Sequence, residues 1–273
     1  MCLAVFALNT HPDWPVIIAA NRDEYHARAT LPMQPWPEAP TLLAGRDLQA
    51  GGTWLGISSS GRIALLTNVR NPAEFNRQAW TRGELVPGFL CSEDNAQHYL
   101  SKLQSRSDQY NGFNLVLIDD NLNAWHASNC QDPFSMPIEP GLHGISNALL
   151  DTQWPKTQRT KEALGDYLRK AARPDPDRLV EIMLDTTPVD DSLLPETGVG
   201  LPKERLLSTP FIVSPDYGTR CTTLVLRNRR GMCWVQEDSY NRLGEQTQRL
   251  RWQLGQGRSW QLTHLPAGSL ITD

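Results

Sequence analysis

The chain contains no Cys-x-x-Cys pair, and its five cysteines (Cys2, Cys91, Cys130, Cys221 and Cys233) form an odd set at irregular spacings. That pattern argues against a disulfide framework and against a structural zinc site, so free thiols and no metal ligands are expected. No basic stripe gives an electrostatic footprint for nucleic acid, and the formal net charge is −4, which makes nucleic acid and anionic membrane poor partners. No apolar run approaches the roughly 20 residues needed to cross a bilayer; CLAVFAL at 2–8 is among the longest. The first residues carry neither a cationic region nor a small-residue cleavage site, so a cytoplasmic protein is expected. No repeat, low-complexity tract or linker divides the chain, and residues 1–273 read as one domain.

What is present is an ordinary globular composition, 40% hydrophobic and 21% charged, with nine tryptophans. Several of these lie in Pro- or Gly-rich stretches, as Trp14, Trp36, Trp54 and Trp154 do, which suits pocket walls as well as core packing. CLAVFALN (2–9) and VIIAANR (16–22) flank the turn-rich THPDWP and predict a hairpin; GGTWLGIS (51–58) and RIALLTNVR (62–70) predict a second. Residues 30–50, with Pro32, Pro35, Pro37 and Pro40, read as a long loop between them. Helical spacing from Thr81 to Gln104 predicts two short helices, and 154–170 and 174–184 predict two more. Strands are expected at 113–119, 124–128, 143–148, 220–228, 232–239, 247–254 and 259–265. Strands and helices in blocks make an α+β chain with mostly antiparallel sheets.

The stretch VIIAANRDEYH (16–26) ends an apolar β-branched run on Asn21, Arg22, Asp23 and Glu24. A strand that only had to leave a sheet would use Gly, Pro or a single Asn. Met1-Cys2 adds to this, because removal of the initiator methionine before a small residue would leave Cys2 with both a thiol and a free α-amine. Such an amine has a pKa of about 7.7–8.0 and can accept the thiol proton. Retention of Met1 would turn that amine into an amide. Counting inward from THPDWP sets residue 9 against about 16 and residue 2 against about 23, so Cys2 should lie beside the Arg22-Asp23 pair. Arg22 would lower the thiol pKa and Asp23 would orient the ammonium. The plainer alternatives are a small apolar residue opening a strand and a surface ion pair worth little. Three more strand ends carry polar groups suited to an oxyanion or an anion: Asn68 in LLTN, Asn147 in HGISN and Arg220 in YGTRCTT.

Six motifs in order, MC, NRDE (21–24), GGTWLG (51–56), LLTNVR (65–70), GISNA with WPK downstream (144–156) and GTRCTT (218–223), resemble the NRDE family, which includes the transport and Golgi organisation protein 2 group. The resemblance runs from residue 2 to about 225. It implies an N-terminal-nucleophile (Ntn) hydrolase fold, a four-layer αββα sandwich similar to choloylglycine hydrolase and penicillin acylase type enzymes. By that similarity Cys2 would be nucleophile and base, Arg22 and Asp23 would activate and orient it, Asn68 and Asn147 would supply the oxyanion site, and Arg220 would complete the cluster. Asn21, Glu24 and Trp54 would support it. The expected substrate is a linear amide or acyl conjugate, with no cofactor required. The resemblance also implies a rival function of another class, a haem carrier that uses the same pocket and delivers to haem proteins. The six histidines (11, 26, 98, 126, 143 and 264) form no recognisable axial pair, and no C-x-x-C-H motif occurs.

Overall fold

The period-two alternation of the first strand already sets the layering. Leu3, Val5 and Ala7 point to one apolar cluster and Ala4, Phe6 and Leu8 to another, so this strand is covered on both faces. In the computed structural model, which describes residues 2–255 and 257–263, the side chain of Cys2 lies outside the described part. The elements run β1 (Cys2–Leu8), β2 (Val16–Tyr25), β3 (Thr30–Trp36), β4 (Ala39–Asp47), β5 (Leu55–Ser58), β6 (Ile63–Asn68), α1 (Leu85–Leu90) and α2 (Ala96–Gln104). They continue with β7 (Phe113–Ile118), β8 (Ala124–Ser128), β9 (Ser135–Pro137), β10 (Gly141–Ile145), α3 (Pro155–Leu168), α4 (Pro176–Met183) and α5 (Leu201–Leu206). β11 (Tyr217–Arg227), β12 (Cys233–Tyr240), β13 (Gln246–Leu254) and β14 (Trp260–Leu262) follow.

The strands form two seven-stranded antiparallel sheets, one ordered β10-β1-β2-β11-β12-β13-β14 and the other a simple meander from β3 to β9. Phe6, Ile18, Val225 and Val235 of the first sheet meet Leu43, Ile57, Leu65 and Val116 of the second in a shared core. The outer face of the first sheet packs Leu3, Ile17 and Leu224 on Leu164 of α3 and on Leu179 and Met183 of α4. The outer face of the meander packs Leu42, Ala64 and Leu115 on Phe89 of α1 and on Leu100 and Leu103 of α2. The expected αββα layer order and antiparallel sheets are therefore what the chain adopts.

Three expectations need correction. Residues 30–50 are not a loop; they are the β3–β4 hairpin at the edge of the meander. Proline is tolerated at an edge, where a missing N–H faces no partner, and two register shifts in this pair accommodate the ring positions. The first hairpin pairs one residue tighter than the count from its turn: Leu8 faces Val16 and Cys2 faces Arg22. The cause is Asn9, which takes the left-handed conformation at φ 53° and donates its N–H to the carbonyl of Pro15 at 2.8 Å, not to Val16. Finally, β9 and α5 have no counterpart in the sequence reading. Of the strand expected at 259–265, the described part is Trp260–Leu262, and His264 lies outside the described residues.

Candidate active site at the end of the first hairpin

Register decides which side chains meet at the end of β2. Arg22 lies opposite Cys2 of β1 on one side and Cys221 of β11 on the other. Between Thr219, which faces Asp23, and Cys221 the β11 strand carries one extra residue, Arg220, in a bulge. A bulge of this kind re-aims a side chain while leaving the ladder intact on either side. Here it brings Arg220 to the wall of the same inter-sheet cavity as Cys221.

Arg22 is buried, and its guanidinium sits 4.4 Å from the ring centroid of Trp54, which belongs to the meander. Its Nη2 is 3.5 Å from Asp47 Oδ2 and its Nη1 donates to Thr30 Oγ1 at 3.4 Å. Trp54 can lie there only because β4 carries Gly45: a Cβ at that position would fall 2.4 Å from the indole Cη2. Asp47 is fixed in turn by Arg28 Nε at 2.6 Å and by the N–H groups of Gln49 and Ala50. Burial pushes the Asp47 carboxyl up, but Arg28 and these N–H groups outweigh it and hold the group below its usual range. Arg22 thus reaches across the sandwich and stacks on an aromatic face, an arrangement worth more when desolvated.

A cavity of about 220 Å³ opens beside this pair, with Arg22, Trp54, Arg220, Cys221, Glu237 and Tyr240 among its walls. Glu237 is buried and accepts the Met33 N–H at 2.7 Å from the opposite sheet; burial pushes its carboxyl up to about 7. Larger clefts of about 580 and 510 Å³ lie at the other end of the sandwich. Size is outweighed here by chemistry, because the smaller cavity holds Arg22 and Arg220 beside the Cys2 end of β1.

Asp23 belongs to the opposite face of the sheet. Its Oδ1 accepts the Thr219 hydroxyl at 2.7 Å and its main-chain carbonyl accepts the Tyr217 hydroxyl at 3.0 Å. Burial raises the Asp23 carboxyl above its usual range even though Lys156, Thr219 and Arg22 all pull it down. Asn21 is on this face too, donating to the carbonyls of Met183 and Pro210 at 2.8 and 3.0 Å and accepting from Thr222 Oγ1 at 2.6 Å. It ties β2 to the chain around α4. Glu24 is half-buried, accepts the Tyr25 N–H at 2.8 Å and lies 4.0 Å from Arg22.

The two asparagines meet at a strand crossing. Asn147, just past β10, donates through Nδ2 to the Asn68 carbonyl at 2.8 Å, and its own carbonyl accepts the Arg70 N–H at 2.8 Å. Asn147 is buried whereas Asn68 is half-exposed. The pair is therefore asymmetric: the Asn147 amide holds the strand end through the Asn68 main chain. Arg220 donates through Nη1 to the carbonyls of Tyr25 and His26, both at 3.1 Å, which anchors the turn after β2. Burial, and then the neighbouring Arg22, lower the Arg220 pKa.

Several site residues escape the sequence reading. Lys156 is buried at the start of α3 and acts on Asp23; its signal was the WPK tripeptide, whose lysine carried no assigned role. Arg70, the last residue of LLTNVR, pairs with Glu204 of α5 at 2.7 Å and lies over the Trp154 ring at 4.9 Å. Glu237 sits within a strand reading of WVQEDS, where alternation gives no hint that Gln236, Glu237 and Asp238 are all buried.

Residues 1–242 match the sequence model of the family described as Transport and Golgi organisation 2. The transport and Golgi organization protein 2 homolog of Bos taurus is 33% identical over 249 residues, covering 85% of this chain and 90% of that protein. The homolog of Homo sapiens is 32% identical over the same length with the same coverage. Among solved structures, a Caenorhabditis elegans N-acylethanolamine-hydrolyzing acid amidase ortholog is similar with a TM-score of 0.39 and 9% identity, over 82% of this chain and 92% of that one. At that score it adds nothing to the layer order described above.

Proposed function

The chain belongs to the Transport and Golgi organisation 2 family, and from that premise we propose that it is an N-terminal cysteine amidohydrolase acting on a linear amide or acyl conjugate. The observation that carries this reading is the register of the first hairpin, which sets Cys2 directly across from Arg22 and the following residue, Asp23, on the other face of the sheet. Once Met1 is removed, Cys2 holds nucleophile and base in one residue. Arg22, across the ladder, favours the thiolate electrostatically. Asp23, held by Thr219, is the acid that orients the α-ammonium.

In the reaction the α-amine takes the thiol proton as Cys2 Sγ attacks the carbonyl carbon. The carbonyl electron pair moves onto oxygen, and Asn68, whose strand end is fixed by Asn147, is the donor offered to that oxyanion. Collapse breaks the C–N bond; the α-ammonium returns its proton to the departing nitrogen, leaving a thioester. Water, deprotonated by the same amine, attacks the thioester and releases the acid and the free thiol. The haem-carrier reading finds less support, because no histidine lines this cavity among the described residues.

The test is intact-mass analysis of freshly expressed protein incubated with a panel of N-acyl amides and quenched in acid. The expected result is a chain lacking Met1 that gains the mass of the acyl group, with no gain in the Cys2→Ala variant. Turnover by protein that retains Met1, or undiminished turnover by Cys2→Ala, overturns the proposal.

A further inference from the structure

The opposite end of the sandwich carries a second concentration of charge. Four hairpin turns meet there and enclose a cleft of about 510 Å³: Ser59 and Ser60 between β5 and β6, Asp120 and Asn121 between β7 and β8, Arg230 and Gly231 between β11 and β12, and Gly255 and Arg258 between β13 and β14. Arg227, the last residue of β11, forms its floor, and Met232 and Leu254 give it an apolar side. Arg227 is six residues along β11 from Cys221, so the cleft lies about 20 Å from the Cys2 end of the sheet.

Arg227 is 6% exposed, and all its hydrogen bonds go to neutral main-chain carbonyls. Nη1 donates to Gly61 and Asp119 at 3.1 and 3.0 Å, and Nη2 donates to Asp120 at 2.6 Å. Its Nε is buried with no hydrogen-bond partner among the described residues. The Asp119 carboxylate is already occupied by the N–H groups of Asn121 and Asn123 and by the Asn123 amide. A buried guanidinium without a paired anion is costly. Arg230 and Arg258 are exposed on the rim, and among the described residues neither side chain makes a hydrogen bond or ion pair. Three arginines thus face one aspartate, Asp120, in a chain whose overall charge is negative.

We propose that this cleft is a binding site for an organic phosphate, the phosphate group held by Arg230, Arg258 and the hydroxyls of Ser59 and Ser60 above the Arg227 charge, and the organic part lying on Met232 and Leu254. Guanidinium groups suit phosphate because their N–H groups fork onto two oxygens at once. The volume falls in the range of small-molecule sites, about 300–1,000 Å³. The sequence run Arg227-Asn228-Arg229-Arg230 is too short to signal nucleic acid, and Arg229 is spent on the Pro12 carbonyl at 2.6 Å.

The experiment is calorimetric titration of the full chain with phenyl phosphate, with benzyl alcohol as the uncharged control. Saturable binding of phenyl phosphate alone is expected, weakened at least ~tenfold in the Arg230→Ala/Arg258→Ala variant, which equals the loss of one charge-assisted contact of about the size given by affinity arithmetic. Both residues are exposed, so the variant should melt with the wild type. A Cys2→Ala variant should bind unchanged, which separates this site from the proposed hydrolase. A phosphate-bearing lipid is distinguished by sedimentation with phosphatidylcholine vesicles containing phosphatidic acid: binding that phenyl phosphate displaces identifies the same site with a headgroup as the source, and absence of vesicle binding identifies a soluble ligand. No saturable binding of phenyl phosphate, or equal binding by the double variant, overturns the proposal.

Discussion

The Asn147 amide donates to the main-chain carbonyl of Asn68 at 2.8 Å, joining the end of the first sheet to the end of β6 in the second. The residue expected to be an oxyanion donor is therefore also the clamp of the other one. Asn147→Ala would remove the donor to the half-exposed Asn68 carbonyl and should lower stability by about 1 kcal/mol. Urea unfolding at constant slope would measure this; a change under about 0.5 kcal/mol, the range of an ordinary surface substitution, would contradict the clamp.

Gly45→Ala tests the stacking of Arg22 on Trp54. The new Cβ would meet the indole at 2.4 Å, so Trp54 has to leave the guanidinium. Overpacking of this kind costs about 1–3 kcal/mol. A shift in tryptophan emission together with a lower melting temperature is expected, and an unchanged spectrum would show that the indole has room the contact distances deny.

Stability should depend on pH through two buried groups with opposite signs. Glu237 titrates near 4.5 in an unfolded chain and is pushed up to about 7 by burial when folded. The folded form binds more protons across that window, so its contribution to stability falls as pH rises from 4.5 to 7 and is level above. His126, hydrogen-bonded to Asn114 at 3.1 Å, is pushed down from 6.5 to about 4 by burial. The folded form there binds fewer protons, and stability falls as pH drops from 6.5 to 4. Glu237→Gln keeps an acceptor for the Met33 N–H and removes only the first slope. Relative to wild type it should gain stability as pH rises from 4.5 to 7; a constant difference across that window in chemical unfolding would contradict the assignment.

Lys156→Met removes the cation that acts most strongly on Asp23, a carboxyl already raised by burial. The loss should be about 3 kcal/mol at alkaline pH, where Asp23 would remain charged, and smaller in acid, where it takes up a proton. Melting temperatures measured across pH would show the gap between variant and wild type widening with pH. An equal gap throughout would point to lost packing instead.

Much of this was legible because the two signals involved are local. Alternating apolar residues in CLAVFAL and VIIAA define both faces of β1 and β2, and helical spacing places α1 to α4 within a few residues. The failures are of other kinds. The register of the first hairpin turns on the backbone of Asn9, and a shift by one moves Cys2 from opposite Asp23 to opposite Arg22, which the count from the turn could not show. Pro32 and Pro35 read as loop because their tolerance depends on the edge position of β3, which only the assembled sheet defines, while Pro37 lies in the turn that follows. Lys156 and Glu237 were missed because burial of a charge is decided by partners far away in sequence: Asp23 for one, the N–H of Met33 for the other.

The two sheets differ in how the chain visits them. The meander takes its strands in consecutive order, β3 to β9, while the first sheet draws β1 and β2 from the start of the chain and its other strands from beyond residue 140. The Thr219–Asp23 hydrogen bond spans 196 positions. As the chain leaves the ribosome, one half of the sandwich can be complete while the opening hairpin still lacks both its flanking strands, since long-range pairings close last. The amino end is then among the last parts to be enclosed, so the proposed hydrolase, which needs Met1 removed, would have its time for that removal before the walls around residue 2 exist.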